Sequence, residues 1–229
     1  MFSHAIHNPN HFEILNKDKD YNVIPFGHRC TSALACKYAS LRKVSLPFDW
    51  TMPTYPDKIQ QVLDADFEDF IPDVYNKKFI NKYNIYLAHF NENVNVGVDE
   101  YRRRIDRFKR LIRSPTKIYF VYINEDYLYD PGYRKLHFNE DMFKKMLELE
   151  TFLRATYANI DYNILYFNFK QHAVPETSNI INIVLHTTNL YNITVGSPYQ
   201  ALRRYCGKVL AEMFGTPLNF SYDDDTFNN

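Results

Sequence analysis

The chain has 229 residues, of which 45% are hydrophobic and 17% aromatic, a composition that supports a sizeable core and excludes wholesale disorder. The 27 basic and 27 acidic side chains cancel, so no overall charge favours nucleic acid or an anionic membrane surface. No apolar run approaches the roughly 18 residues of a membrane span. We therefore expect neither membrane association nor nucleic-acid binding. Composition leaves the oligomeric state open.

Secondary-structure patterns follow one another in a regular order. Residues 1–20 are polar and contain Pro9, which predicts an N-terminal arm, and residues 219–229 predict an acidic tail. Between them, the apolar spacing predicts these elements in chain order: a strand over Asn22–Phe26, a helix from Cys30, a helix over Asp57–Phe70, a strand over Lys82–Phe90, a helix over Asp99–Arg113, a strand over Lys117–Asn124, a helix over Asn139–Tyr157, strands over Tyr162–Phe169 and Ile180–His186, and a helix over Pro198–Phe214. This alternation predicts one α/β domain over residues 21–218, with a mostly parallel sheet flanked by helices.

In sheets of this kind, ligands bind beyond the carboxyl ends of the strands. Functional side chains should therefore follow predicted strands directly. Five side chains with acid–base or nucleophilic chemistry do so: Cys30, His89, Glu125, Asp126 and His186.

Cys30 is the candidate nucleophile. A thiol at a helix N-terminus meets the positive end of the helix dipole, which lowers its pKa and favours the thiolate. His28 and Arg29 add protonatable or positive groups beside it and, with Trp50, are candidate ligand-binding residues. Gly27 permits a tight turn between strand and helix. A buried structural thiol is the alternative.

The other cysteines, Cys36 and Cys206, lie inside predicted helices, where packing is the expected role. An odd number of scattered cysteines is not a disulfide framework, so we expect a reducing compartment, the cytoplasm. The sequence contains no P-loop, dinucleotide-binding or common zinc signature, and therefore predicts no cofactor and no metal site.

Five segments in fixed order carry a resemblance to a known family: PFGHRC, LPFDW, YLAHF, YRRRIDRFKRLIR and KIYFVYINE. They resemble the uncharacterised family described as papain-like cysteine peptidases (domain of unknown function 1796), found in bacteria and large DNA viruses. The resemblance covers Asn22 to His186, with Pro47 to Trp50 as its most specific element. It implies a cysteine-dependent hydrolase with Cys30 as nucleophile, His89 as its histidine and Asp49 as the acidic residue. A viral source would place it in the host cytoplasm.

The residues themselves leave alternatives open. Asp49 beside Trp50 can orient an imidazole or can form a rigid corner in which the aromatic rings pack. Because His89 and His186 both lie at the ends of predicted strands, either can be the base that partners Cys30, with His186 also a candidate ligand-binding residue; a satisfied structural histidine is the alternative for each. The substrate would be a small molecule or a peptide.

Other functions remain open as well. The arginine-rich helix, with Arg102 and Arg103 near its start, allows a transferase or binding module for a phosphorylated or nucleotide-sugar ligand, although a solvated outer face has the same pattern. A non-catalytic interaction protein is the third possibility.

Overall fold

The computed structural model describes residues 2–7, 20–72, 79–91, 93–125, 140–187 and 198–219. The strands in these ranges are β1 (Phe2–His7), β2 (Tyr21–Pro25), β3 (Thr51–Met52), β4 (Tyr86–Leu87), β5 (Lys117–Ile123), β6 (Tyr162–Asn168) and β7 (Ile180–Thr187). The helices are α1 (Cys30–Tyr38), α2 (Pro56–Asp64), α3 (Val94–Leu111), α4 (Glu140–Thr156) and α5 (Pro198–Phe214).

The main sheet contains five strands in the order β1-β7-β6-β5-β2. Strands β2, β5, β6 and β7 are parallel, whereas β1 pairs with β7 in the antiparallel direction. Every residue of β6 is buried, as expected for a parallel strand that helices cover on both faces. The predicted α/β fold with a mostly parallel sheet is confirmed.

Two apolar clusters lie on opposite faces of this sheet. Alternate residues of β5 point to opposite faces, so Ile118 and Phe120 pack with α2, α3 and α4, while Tyr119 and Val121 pack with α1 and α5. The molecule therefore has three layers, helices on each side of one sheet. Among the described residues, no helix combines the length and apolar character needed to cross a membrane.

The connection between β2 and α1 depends on a close backbone approach. Gly27 has φ +102°, and a Cβ there would lie 2.9 Å from the carbonyl oxygen of Thr54. Ser32 then ties this turn to the sheet, because its hydroxyl donates to the Gly27 carbonyl and accepts from the Ile123 N–H at 3.1 Å. These contacts hold the start of α1 at the carboxyl ends of β2 and β5.

Three predicted segments differ from the observed ones. Within the predicted arm, Phe2–His7 forms edge strand β1, because its backbone completes a ladder with β7; residues 8–19, like 220–229 of the predicted tail, lie outside the described residues. The prediction of one strand over Lys82–Phe90 is wrong. Left-handed backbone at Asn84 and His89 breaks it, leaving the two residues of β4, which pair with β3 outside the main sheet.

The third difference concerns the helix predicted over Asp57–Phe70. The helix α2 ends at Asp64, because Asp66, Phe67 and Asp69 all have positive φ. The remaining predicted helices and strands are present with ends shifted by a few residues.

Candidate functional site

Cys30 is the first residue of α1, beyond the carboxyl end of β2. Its side chain is half-buried and contacts a residue far away in the sequence. Arg203 of α5 donates from Nη2 to Cys30 Sγ at 3.4 Å and from Nε to Thr31 Oγ1 at 3.1 Å. The thiol therefore lies beside a guanidinium at the edge of the sheet where ligands bind in such folds.

A second charged pair lies beside Cys30. Arg29 Nε is 3.8 Å from Glu125 Oε2, and the Arg29 guanidinium lies 6.0 Å from the ring centre of Tyr199. Glu125 is the second residue after β5, and Tyr199 is the second residue of α5. Together these side chains form the Cys30 cluster: Arg29, Cys30, Thr31, Glu125, Tyr199 and Arg203.

Opposing effects act on the Cys30 thiol. Burial raises the pKa of Cys30, Arg203 and Arg29 lower it, and Glu125 raises it again, with a net rise above the ordinary value. The sequence-based expectation of a lowered pKa is therefore corrected, because loss of solvent outweighs the favourable position at the helix N-terminus. Since the thiol is the resting form, any reaction at Cys30 needs a group that accepts its proton.

His28, predicted to bind ligand, is packed inside the protein. Its side chain is only 1% exposed and stacks on Tyr55 with ring centres 4.9 Å apart. Burial, with smaller contributions from Arg29 and Lys58, lowers the pKa of His28 to about 3. The imidazole is therefore neutral near pH 7 and has little surface to offer a ligand.

Asp49 has a different partner from the one predicted. Its Oδ2 accepts hydrogen bonds from Arg42 Nε at 2.9 Å, from Arg42 Nη2 at 2.6 Å and from the Leu46 N–H at 3.0 Å. Burial raises the pKa of Asp49, and the Arg42 guanidinium opposes that rise. The carboxylate therefore closes the turn over residues 46–49, as in the rigid-corner interpretation.

Asp49 is tied to the C-terminal end of α1 through Arg42. Arg42 donates its backbone N–H to the Cys36 carbonyl at 3.2 Å and its Nη2 to Asp49 Oδ2 at 2.6 Å. Burial raises the pKa of Cys36, and the nearby charge of Asp49 adds to that rise. The role of Asp49 as the acidic residue of a triad stays a prediction.

His89 and Trp50 lie near Arg42, the partner of Asp49. The two rings meet edge to face with centres 5.4 Å apart, and the Arg42 guanidinium lies 5.5 Å from the Trp50 ring centre. These residues form the Asp49 corner: Arg42, Asp49, Trp50 and His89. Within the described residues, the side chain that hydrogen-bonds Cys30 Sγ is Arg203, not His89.

The remaining predicted site residues lie elsewhere. Arg102 and Arg103 are exposed on α3, where Arg102 pairs with Asp99 at 3.4 Å, as on a solvated helix face. His186 is exposed within β7, opposite Ser3 of β1. Asp126 lies outside the described residues.

Sequence reasoning missed Arg203 and Tyr199. Both lie in the predicted last helix, and nothing in their local pattern connects them to a cysteine 173 residues away from Arg203. The signal that could have found them was the order of the elements. A helix that follows a parallel strand can begin near the carboxyl edge of the sheet, which is where Cys30 was expected. In the part of the chain that the structure describes, no group of three or more His, Cys, Asp or Glu side chains is placed to hold a metal ion.

In comparisons with known proteins, no family model, no curated protein and no solved structure matches the chain. The resemblance to the cysteine peptidase family stays a prediction. The geometry of the Cys30 cluster is therefore the basis for assigning a function.

Proposed function

We propose that this protein is a thiol-dependent hydrolase in which Cys30 is the nucleophile. The observation that carries the proposal is the position of Cys30 Sγ, at the start of α1 and 3.4 Å from Arg203 Nη2. A guanidinium at this distance stabilises a thiolate as it forms, even though burial keeps the resting group protonated.

Glu125 is the group we propose as proton acceptor. It is fully buried, and its charge acts on the pKa of Cys30, so it lies close enough to couple to the thiol. In the first step the thiol proton passes to Glu125 while Sγ attacks the substrate carbonyl carbon. Collapse of the tetrahedral intermediate then expels the leaving group, which takes the proton from Glu125.

The oxyanion has donors at the start of α1. Arg29 occupies the N-cap position and makes no side-chain capping hydrogen bond, so its side chain does not satisfy the backbone N–H groups of the first turn, which we propose as the oxyanion donors. In the second step, water attacks the thioester carbonyl and transfers a proton to Glu125, and the Cys30 sulfur leaves as a thiolate and takes that proton back from Glu125. The hydrolase needs no cofactor for these steps, and either a peptide or a small ester would supply the carbonyl.

The test is acylation of the folded protein with p-nitrophenyl acetate, read by peptide mass spectrometry. We expect an acetyl group on Cys30 and a burst of nitrophenolate that Cys30→Ala abolishes. The buried Cys36 and Cys206 serve as internal controls. Equal nitrophenolate release by the wild type and Cys30→Ala, with no acetyl group on Cys30, would contradict the proposal.

The identity of the base is tested separately. We expect Glu125→Gln to slow deacylation, as measured by the lifetime of the acetyl group on Cys30, and His89→Ala to leave that lifetime unchanged. The reverse result would restore the sequence-based assignment of His89 as the base. Both variants should first be compared with the wild type for thermal unfolding.

The sequence-based alternative, a module that binds a phosphorylated ligand, makes the opposite prediction for Cys30. Such a module would keep its ligand affinity in Cys30→Ser and lose it in Arg102→Ala or Arg103→Ala. The ion pair between Arg102 and Asp99 on an exposed helix face favours the hydrolase over this alternative.

A further inference from the structure

We infer that the substrate of Cys30 carries a carboxylate or phosphate group close to its reacting carbonyl, and that Arg29 and Arg203 bind this anion. The inference rests on the proposed hydrolase function and names its substrate class. Both guanidiniums act on the pKa of Cys30, so both lie near the atom that would attack the substrate.

The arrangement of charge favours an anion over a cation. The cluster holds two guanidiniums and one carboxylate, and the carboxylate is the buried member: the side chain of Glu125 is 0% exposed, whereas that of Arg29 is 29% exposed. A ligand that approaches from solvent therefore meets the positive group first. Arg29 Nε lies 3.8 Å from Glu125 Oε2, within ion-pair range but beyond a hydrogen-bond length.

Arg203 is held in place and still has donors to offer. Its bonds to Thr31 and Cys30 use Nε and Nη2, which orient the planar group against the start of α1. Within the described part of the chain, Arg203 Nη1 donates to neither Thr31 nor Cys30 and remains available to an anionic oxygen. An arginine fixed along one edge is suited to carboxylate or phosphate, which accept from a planar fork.

Two alkylating reagents of nearly equal size test the inference, since iodoacetate is an anion and iodoacetamide is neutral. Both consume the same thiolate, so the ratio of their rates at Cys30 cancels any change in the pKa of the thiol. We expect the ratio of iodoacetate to iodoacetamide rates to be about tenfold higher for Cys30 in the folded protein than in the protein unfolded in urea. The ratio should fall towards the unfolded value in Arg29→Met and Arg203→Met.

Arg103→Met is the matched control, because it removes an exposed guanidinium from α3 and should leave the ratio unchanged. If an arginine variant does not fold, the wild type alone still decides. Added sodium chloride should lower the ratio towards the unfolded value because salt screens the attraction, and a ratio independent of salt would overturn the inference.

The two proposals fail in different ways. A folded-state ratio equal to the unfolded one, with Cys30 reactive to iodoacetamide, would overturn the anion inference and leave the hydrolase standing. If Cys30 is inert to both reagents, the hydrolase proposal fails, and the anion site is tested in Cys30→Ser by its thermal shift with inorganic phosphate. No shift, or an equal shift in Arg29→Met, would then overturn the inference as well.

Discussion

Arg203, from the last helix, donates one hydrogen bond to Cys30 Sγ at 3.4 Å and another to Thr31 Oγ1 at 3.1 Å. This contact joins α5 to the first turn of α1 and sets the charge beside the thiol. Glu125 acts on the same thiol in the opposite direction. Substitutions at Arg203 and at Glu125 should therefore have opposite effects on the reactivity of the Cys30 thiol.

We expect Arg203→Met to slow alkylation of Cys30 by iodoacetamide at pH 8 several-fold, because loss of the guanidinium raises the pKa of the thiol. Glu125→Gln should accelerate it, because loss of the negative charge lowers that pKa. Alkylation rates measured by peptide mass spectrometry check both. Changes in the same direction would mean that the variants alter access to Cys30 rather than its charge environment.

His28 should make the protein less stable in mild acid. Its pKa is about 3 in the folded state, below the ordinary value of 6.5, so the unfolded chain binds more protons between these values. The stability contributed by neutral His28 is complete above pH 6.5 and is lost as the pH falls towards 3. Between pH 7.5 and 5 we expect a loss of about 2 kcal/mol in the free energy of unfolding from this residue.

Urea unfolding of the wild type and His28→Phe at the two pH values measures this loss. The variant keeps a ring against Tyr55 and removes the titrating group, so its stability should depend less on pH by about the same amount. An identical pH dependence in both proteins would show that His28 does not titrate as described.

Gly27→Ala should destabilise the protein by about 3 kcal/mol, because φ is +102° and the new Cβ would lie 2.9 Å from the Thr54 carbonyl oxygen. Gly215→Ala is the matched control, since φ is also positive (+63°) but nothing lies within 4 Å of the added Cβ. The control should cost about 1 kcal/mol, from backbone conformation alone. Equal losses in urea unfolding would mean that the approach of Thr54 is not what restricts position 27.

Asp49→Asn should cost about 2 kcal/mol of unfolding free energy, because the partly exposed Arg42 guanidinium loses its buried carboxylate. Asp69→Asn, which removes an exposed partner of Lys82, should cost much less, because solvent screens a surface ion pair. We also expect Asp49→Asn to leave the alkylation rate of Cys30 unchanged. A large fall in that rate with little loss of stability would instead support the triad role inferred from the sequence.

The sequence determined the fold class and the position of Cys30, the proposed nucleophile, between strand and helix. Alternating helical and strand patterns from Asn22 to Phe214 required a sheet covered by helices, since each apolar stripe has to be buried against another element. Cys30 was found because strand, glycine and helix follow one another over a few residues. Hydrophobic periodicity and turn signals depend on residues that are close together in the sequence, so they can be recognised without the tertiary structure.

Only the tertiary structure decided which side chains surround Cys30. Arg203 reaches the thiol because the sheet order and the packing of α5 against α1 bring two distant segments together, and no local pattern encodes that distance. The same folding brought Arg42 onto Asp49 and packed Trp50 against His89, so that burial and Arg42 fix the Asp49 carboxylate. The pKa of Cys30 was likewise not predictable from the sequence, because it depends on how completely packing removes water from the thiol.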